Sequence, residues 1–192
     1  MPHETVTTGQ LLLAEYQSIK DEQKARIGFR DNLLYVTLAA VAAVVVAAVP
    51  AKRPVMLLAL PPVCFILGWT YLVNDEKISA IGRYVRTDLG PRIAALAATG
   101  EPVFGWEEAH RSDGRRASRK VIQCTVDLTA FCLIPVTGMV VYWVRGSSSG
   151  LLLAVSAVEA VGLLILAVQI VLYARPDTPV PSGGDAEGQR GC

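Results

Sequence analysis

Four apolar segments, each about long enough to cross a bilayer, constrain this chain more than anything else in it. They are Leu33–Val49, Val55–Val73, Val121–Val144 and Leu151–Ala174. A helix rises about 1.5 Å per residue, so roughly 20 apolar residues cross a hydrocarbon core of about 30 Å. Only the last two segments hold an acid, Asp127 in one and Glu159 in the other. Of the 192 residues, 52% are hydrophobic and 18% charged, and the mean hydropathy is +0.41. A soluble domain of this size is more polar. The expected fold is an all-α membrane protein. Its four transmembrane helices form two hairpins, joined to an N-terminal helical stalk and a cytoplasmic helical loop.

The expected division is 1–32 for an amphipathic cytoplasmic helix and 33–73 for the first hairpin. Residues 74–120 form the helical loop, 121–174 the second hairpin and 175–192 a disordered tail, rich in Pro, Gly and acid. The first apolar segment is not read as a signal peptide. The residues before it carry five acids and four bases, whereas a secretory leader begins with a short basic stretch.

Orientation follows the basic residues. The arm before Leu33, the stretch from Asn74 to Lys120 and the tail together hold 15 of the 18 Lys and Arg residues. The opposite side has Lys52, Arg53 and Arg145. Both termini and the central loop are therefore expected in the cytoplasm. Tyr35, Trp69, Tyr71 and Tyr173 would mark inner membrane boundaries, and Tyr142 and Trp143 an outer one.

The arm repeats Leu12, Tyr16, Ile19, Gln23 and Ile27 at helical spacing, with Thr8 as its cap. The loop helix carries Ile78, Ile81, Val85 and Leu89, and Gly90-Pro91 should end it. Each stripe needs an apolar partner and is the obvious one for the other. Leu12, Tyr16, Ile19, Ile27, Ile78, Ile81, Val85 and Trp106 make the expected interaction face. Arg115, Arg116, Arg119 and Lys120 precede the third span as a positive-inside anchor that also attracts anionic lipid. Ala39, Ala43 and Ala47 give the first span a small-residue stripe.

Glu159 is the residue that asks for a reason. At the helical rise it lies about 12 Å below the outer start of its segment. Pro61, Pro62, Pro135 and Thr137 fall at a similar depth, about 9–14 Å from the outer ends of theirs. A proline removes a donor and displaces the carbonyl four residues earlier. Lipid offers no replacement donor. A protonated Glu159 facing the bundle interior could supply one, to a carbonyl beside a proline or to Thr137. The readings are interhelical glue, within or between subunits, a gating or ion-pathway role, and a lipid-facing residue near the interface. Asp127, closer to the inner boundary, is expected to meet water or Arg119 and Lys120.

The sequence holds no motif for metal binding, phosphate cradling or nucleophilic catalysis. Its polar stretches are too fragmented for an ordinary enzyme domain. Cys64, Cys124, Cys132 and Cys192 lack metal-ligand spacing and are expected as free thiols. No cofactor, metal or nucleic acid is expected, and the chain is read as non-enzymatic.

Three pieces carry a resemblance. They are Glu15, Tyr16, Asp21 and Glu22 in the arm, the Asn74–Arg86 helix, and the Gly105–Glu107 box. Over residues 11 to 145 the chain resembles a group of uncharacterised bacterial integral membrane proteins common in high-GC actinobacteria. The resemblance implies the cell's inner membrane and carries no established activity. A looser likeness of architecture is to small transmembrane effectors of bacterial anti-phage systems. The function expected from all this is a self-associating homo-oligomer that binds or senses a cytoplasmic partner, as a membrane-acting defence effector would. The alternative is a small ion- or proton-coupled transporter or channel using Glu159.

Overall fold

The computed structural model describes residues 6–97, 116–145 and 149–174. All the described elements are helical, and four helical stretches are long and apolar enough to cross a membrane: Thr8–Ala51, Pro54–Ala97, Ser118–Arg145 and Gly150–Ala174. Trp106, the Gly105–Glu107 box, Arg115, Cys192 and the expected disordered tail lie outside the described residues, as does the Arg116 side chain.

The first helix, α1, runs unbroken from Thr8 to Ala51, so the arm and the first span are one rod. Its cap is Thr7, one residue before the expected Thr8. The Thr7 side chain accepts from the Gln10 amide, and the Gln10 side chain accepts from the Thr7 amide. This reciprocal box satisfies two otherwise orphan donors. The rod ends at Lys52, whose positive φ of 52° turns the chain back.

The second stretch begins as a 3-10 helix, Pro54–Ala59, and continues as α2, Leu60–Tyr84. Pro61 and Pro62 thus fall in the first turn of α2, where a missing donor costs nothing. They do not kink the middle of the span, as the sequence suggested. The Leu57 carbonyl, four residues before Pro61, accepts from the Leu60 amide.

Gly90-Pro91 does not end the loop helix. A π turn at Val85–Leu89 leads into α3, Gly90–Ala97, and the Gly90 amide reaches back to the Val85 carbonyl. The third span repeats this device. Helix α4, Arg116–Leu128, passes through a π turn at Thr129–Leu133 into α5, Ile134–Arg145. There the Ile134 amide bonds the Thr129 carbonyl just before Pro135. In both cases the wider turn sits immediately before the residue preceding proline. The ring then has room beside the carbonyl four residues back, and the helix continues. The last helix, α6, is Gly150–Ala174.

Three apolar clusters hold the elements together. Leu12, Val85 and Leu89 are buried with Tyr16, Ile19, Ile81 and Ile93 packed against them, joining the arm to the end of α2. Leu33, Tyr71, Leu72, Phe131, Leu166 and Ile170 form the centre of the largest cluster, which joins α1, α2, the second π turn and α6. Leu58, Met139, Tyr142 and Leu163 join the 3-10 segment to α5 and α6. The contacts between α1 and α2 run in opposite directions along the chain: Leu12 lies by Leu89, Arg26 by Asn74, and Leu33 by Tyr71.

Two glycines allow the closest approaches. A Cβ at Gly68 would stand 2.8 Å from Leu166 Cδ2 and 2.9 Å from Phe131 Cγ. A Cβ at Gly138 would stand 2.9 Å from Leu60 Cδ1 and 3.5 Å from the Leu57 carbonyl oxygen.

Candidate functional site

Two polar sites sit at different depths along the spans. The first gathers where the arm passes into the apolar part of α1. Arg30 Nη1 donates to Asp75 Oδ1 at 2.8 Å. One turn earlier, the Asn74 amide donates to the Arg26 backbone carbonyl at 2.7 Å. Arg26 returns a longer contact of 3.4 Å to the Asn74 oxygen and is itself held by Glu22. Burial opposes the Arg30 charge. Its hydrogen bond to Asp75 and the surrounding carboxylates outweigh that penalty, and the guanidinium is held above its ordinary range.

The seam explains this placement. Along α1 the inward positions are Leu12, Tyr16, Ile19, Gln23, Arg26, Arg30, Leu33 and Thr37, alternating by four and three. That is a heptad seam. Its polar members fall in the middle, opposite Asn74 and Asp75. The sequence reading continued by fours to Ile27, which is 38% exposed and leaves the seam.

Deeper in the third span, Gln123 donates to the Tyr71 hydroxyl and, at 3.0 Å, to Asp127 Oδ1. Asp127 is only 8% exposed. It is therefore an internal, bonded acid rather than the water-facing interface residue expected. Tyr71 is buried too, stacked obliquely on Phe131 at 5.2 Å between ring centroids. It ties α2 to α4 instead of marking a lipid boundary. Sequence reasoning missed this network because Gln123 and Asp127 look alike on any helix surface. The i, i+4 spacing of an amide and a carboxylate was the available signal.

The second site, nearer the turns that follow α1 and α5, contains Glu159. At 100° per residue it falls on the face of α6 that carries the buried Ser156, Leu163 and Leu166. One of its carboxylate oxygens, Oε2, is buried with no hydrogen-bond partner. The Tyr142 hydroxyl shares that condition. Thr137 does not reach Glu159: its hydroxyl donates to the Leu133 carbonyl of its own helix at 2.8 Å, on an exposed face. Pro61 and Pro135 are buried and Pro62 is exposed. The five residues thus share a depth, but the hydrogen bond expected between Glu159 and its neighbours is not formed at Oε2. Near the same level, the Trp143 indole donates to Ser156 Oγ at 3.0 Å.

A tightly packed layer separates the two sites. Cys64, Phe131 and Leu166 are fully buried there, around the Gly68 contact.

Of the expected interaction face, Leu12, Tyr16, Ile19, Ile81 and Val85 meet in one cluster; Ile78 is half-buried outside it. Arg119 is exposed and Lys120 half-buried at the start of α4. Cys64, Cys124 and Cys132 are free thiols. Among the described residues no group of His, Cys, Asp and Glu could hold a metal ion. No protein-family model matches the chain, and neither any curated protein nor any solved structure does.

Proposed function

We propose that this chain is a non-enzymatic, self-associating protein of a bacterial inner membrane, whose cytoplasmic arm binds or senses a partner and passes that event to the spans. In this reading the spans form two hairpins, with both termini and the 74–120 stretch in the cytoplasm. The observation that carries it is the 44-residue α1. A helix of that length spans roughly 66 Å, so its outer end and the arm cannot move independently. The Arg30–Asp75 and Asn74–Arg26 bonds fix this rod to α2 at the boundary.

Self-association is supported by the lean packing of the two flanking spans. Only 17% of the most apolar window of α1, and the same share of α6, is buried, against 39% for the other two. Ala39, Ala43 and Ala47 are exposed on α1, a spacing that lets helices approach closely. A defence effector of the kind the architecture resembles would fit this plan.

The second reading is a proton- or ion-coupled transporter, favoured by the unpartnered oxygen of Glu159. The packed layer at Cys64, Phe131 and Leu166 weighs against a conducting path. The test uses the full chain in lipid nanodiscs and in liposomes. We expect more than one copy per nanodisc and ion-tight liposomes between pH 5 and 8. Single copies would contradict self-association. Flux that vanishes in Glu159→Gln would favour the transporter.

A further inference from the structure

Tyr142 on α5 and Glu159 on α6 lie at a similar depth. Cys132 Sγ reaches the Leu163 carbonyl, and the Trp143 indole reaches Ser156. These two contacts set the register of α5 against α6 and place the Tyr142 backbone opposite about Val155. Helical side chains lean toward the N-terminus of their own helix. The phenol of Tyr142 therefore leans deeper, toward the level of Glu159, and the Glu159 side chain leans back toward it. Tyr142 is 2% exposed and its hydroxyl has no partner, while Glu159 Oε2 is buried and also has none. Direct bonding between the two is absent. Tyr142 is walled by Leu58, Met139 and Leu163, with Ala160 packed against them; Glu159, next to Ala160 in α6, is half-buried.

Two orphaned polar atoms at one depth in an apolar wall are costly unless something bridges them. A water molecule has the required chemistry, since it accepts from the phenol and donates to the carboxylate. A fixed counter-charge is not at hand. Leu38–Val49 of α1 and Leu60–Val73 of α2 hold no charged residue. Lys52 and Arg53 lie at the outer turn, and Arg145 ends α5; all three are exposed. Asp127 lies beyond the packed layer, roughly 16 Å away by helical rise. With no cation to balance it, the carboxylate takes a proton from water: hydronium gives H⁺ to Oε2 and leaves neutral water on the Tyr142 hydroxyl.

We propose that Tyr142 and Glu159 form an intramembrane proton-binding site, bridged by water and reached from the outer side alone. The packed layer lets it bind a proton without conducting one. The site stands whether or not the chain self-associates.

Infrared spectroscopy of the full chain in nanodiscs, titrated from pH 4 to 9, tests this. Glu159→Gln should remove one protonated-carboxyl band and so assign it. Tyr142→Phe, nearly isosteric, should move the midpoint of that band by about one pH unit or more. It should also abolish the bound-water O–H band identified by exchange into oxygen-18 water. Glu159→Asp, which withdraws the carboxyl by one methylene, should shift the same midpoint and serves if the phenylalanine variant does not assemble. A midpoint unchanged by either substitution overturns the proposal, as does the absence of any band lost in Glu159→Gln. A midpoint that follows sodium but not Tyr142 would make Glu159 a metal-cation ligand and overturn it too.

Discussion

Asn74 shows how a single polar side chain can set the register of two long helices. It is 5% exposed, and its amide is spent on a backbone carbonyl of α1, a partner that no substitution on α1 can remove. Asn74→Ala should cost about 1–2 kcal/mol, the size of a lost half-buried hydrogen bond. The Arg30–Asp75 pair is half-exposed, so a double-mutant cycle to alanine should give a coupling of only about 1 kcal/mol. Both are read from denaturation in detergent. Tyr84 donates to Glu15 at 2.6 Å, and that bond holds the phenol pKa above its ordinary value. The folded state therefore keeps this proton longer than the unfolded chain. The resulting stability is complete below the ordinary phenol pKa and is lost as pH rises through the raised one. Spectrophotometric titration should show one tyrosine fewer ionising above the ordinary range in Tyr84→Phe than in the wild type.

At the scale of elements, glycines and prolines decide how closely the helices lie. Gly68→Ala would push a methyl into the Phe131 ring and Leu166 at under 3 Å. It should destabilise by about 1–3 kcal/mol despite the better helix propensity of alanine. Gly138→Ala meets mainly the movable end of Leu60, so it should cost less, and thermal unfolding ranks the two. The four apolar stretches and the stripes of the arm and loop helix were legible in the sequence because periodicity and length survive any packing. The π turns were not. Gly90-Pro91 read as a stop, and Pro135 as a break in its span's hydrogen bonding, because proline removes a donor, and nothing local says that a wider turn will let the helix continue. Ile27 was misplaced for a related reason. Spacings of four and of three are equally helical, and only the partner helix selects the heptad seam that passes through Arg26. Asp127 looked shallow from its position in the segment, and Tyr142 looked like a boundary ring. Their burial depends on α2 and α6, which lie far away in sequence.

At the scale of the whole molecule, the arm cluster, the boundary bonds and the central cluster form one continuous seam along α1. Leu12, Leu33 and Thr37 are all buried on it. An event at the arm is then felt by the spans only if this seam unfolds as a unit. Leu89→Ala, at a fully buried position, should destabilise this seam by about 2–5 kcal/mol. The most direct test is hydrogen exchange of the full chain in nanodiscs, followed at residues 12–30 and 78–93. Slow exchange of both stretches is predicted, accelerated at least roughly tenfold in an Asn74→Ala, Asp75→Ala double variant, the equivalent of about 1.4 kcal/mol. If residues 12–30 of the wild type exchange as fast as an isolated helix, the arm is not joined to the spans and the proposed coupling is wrong.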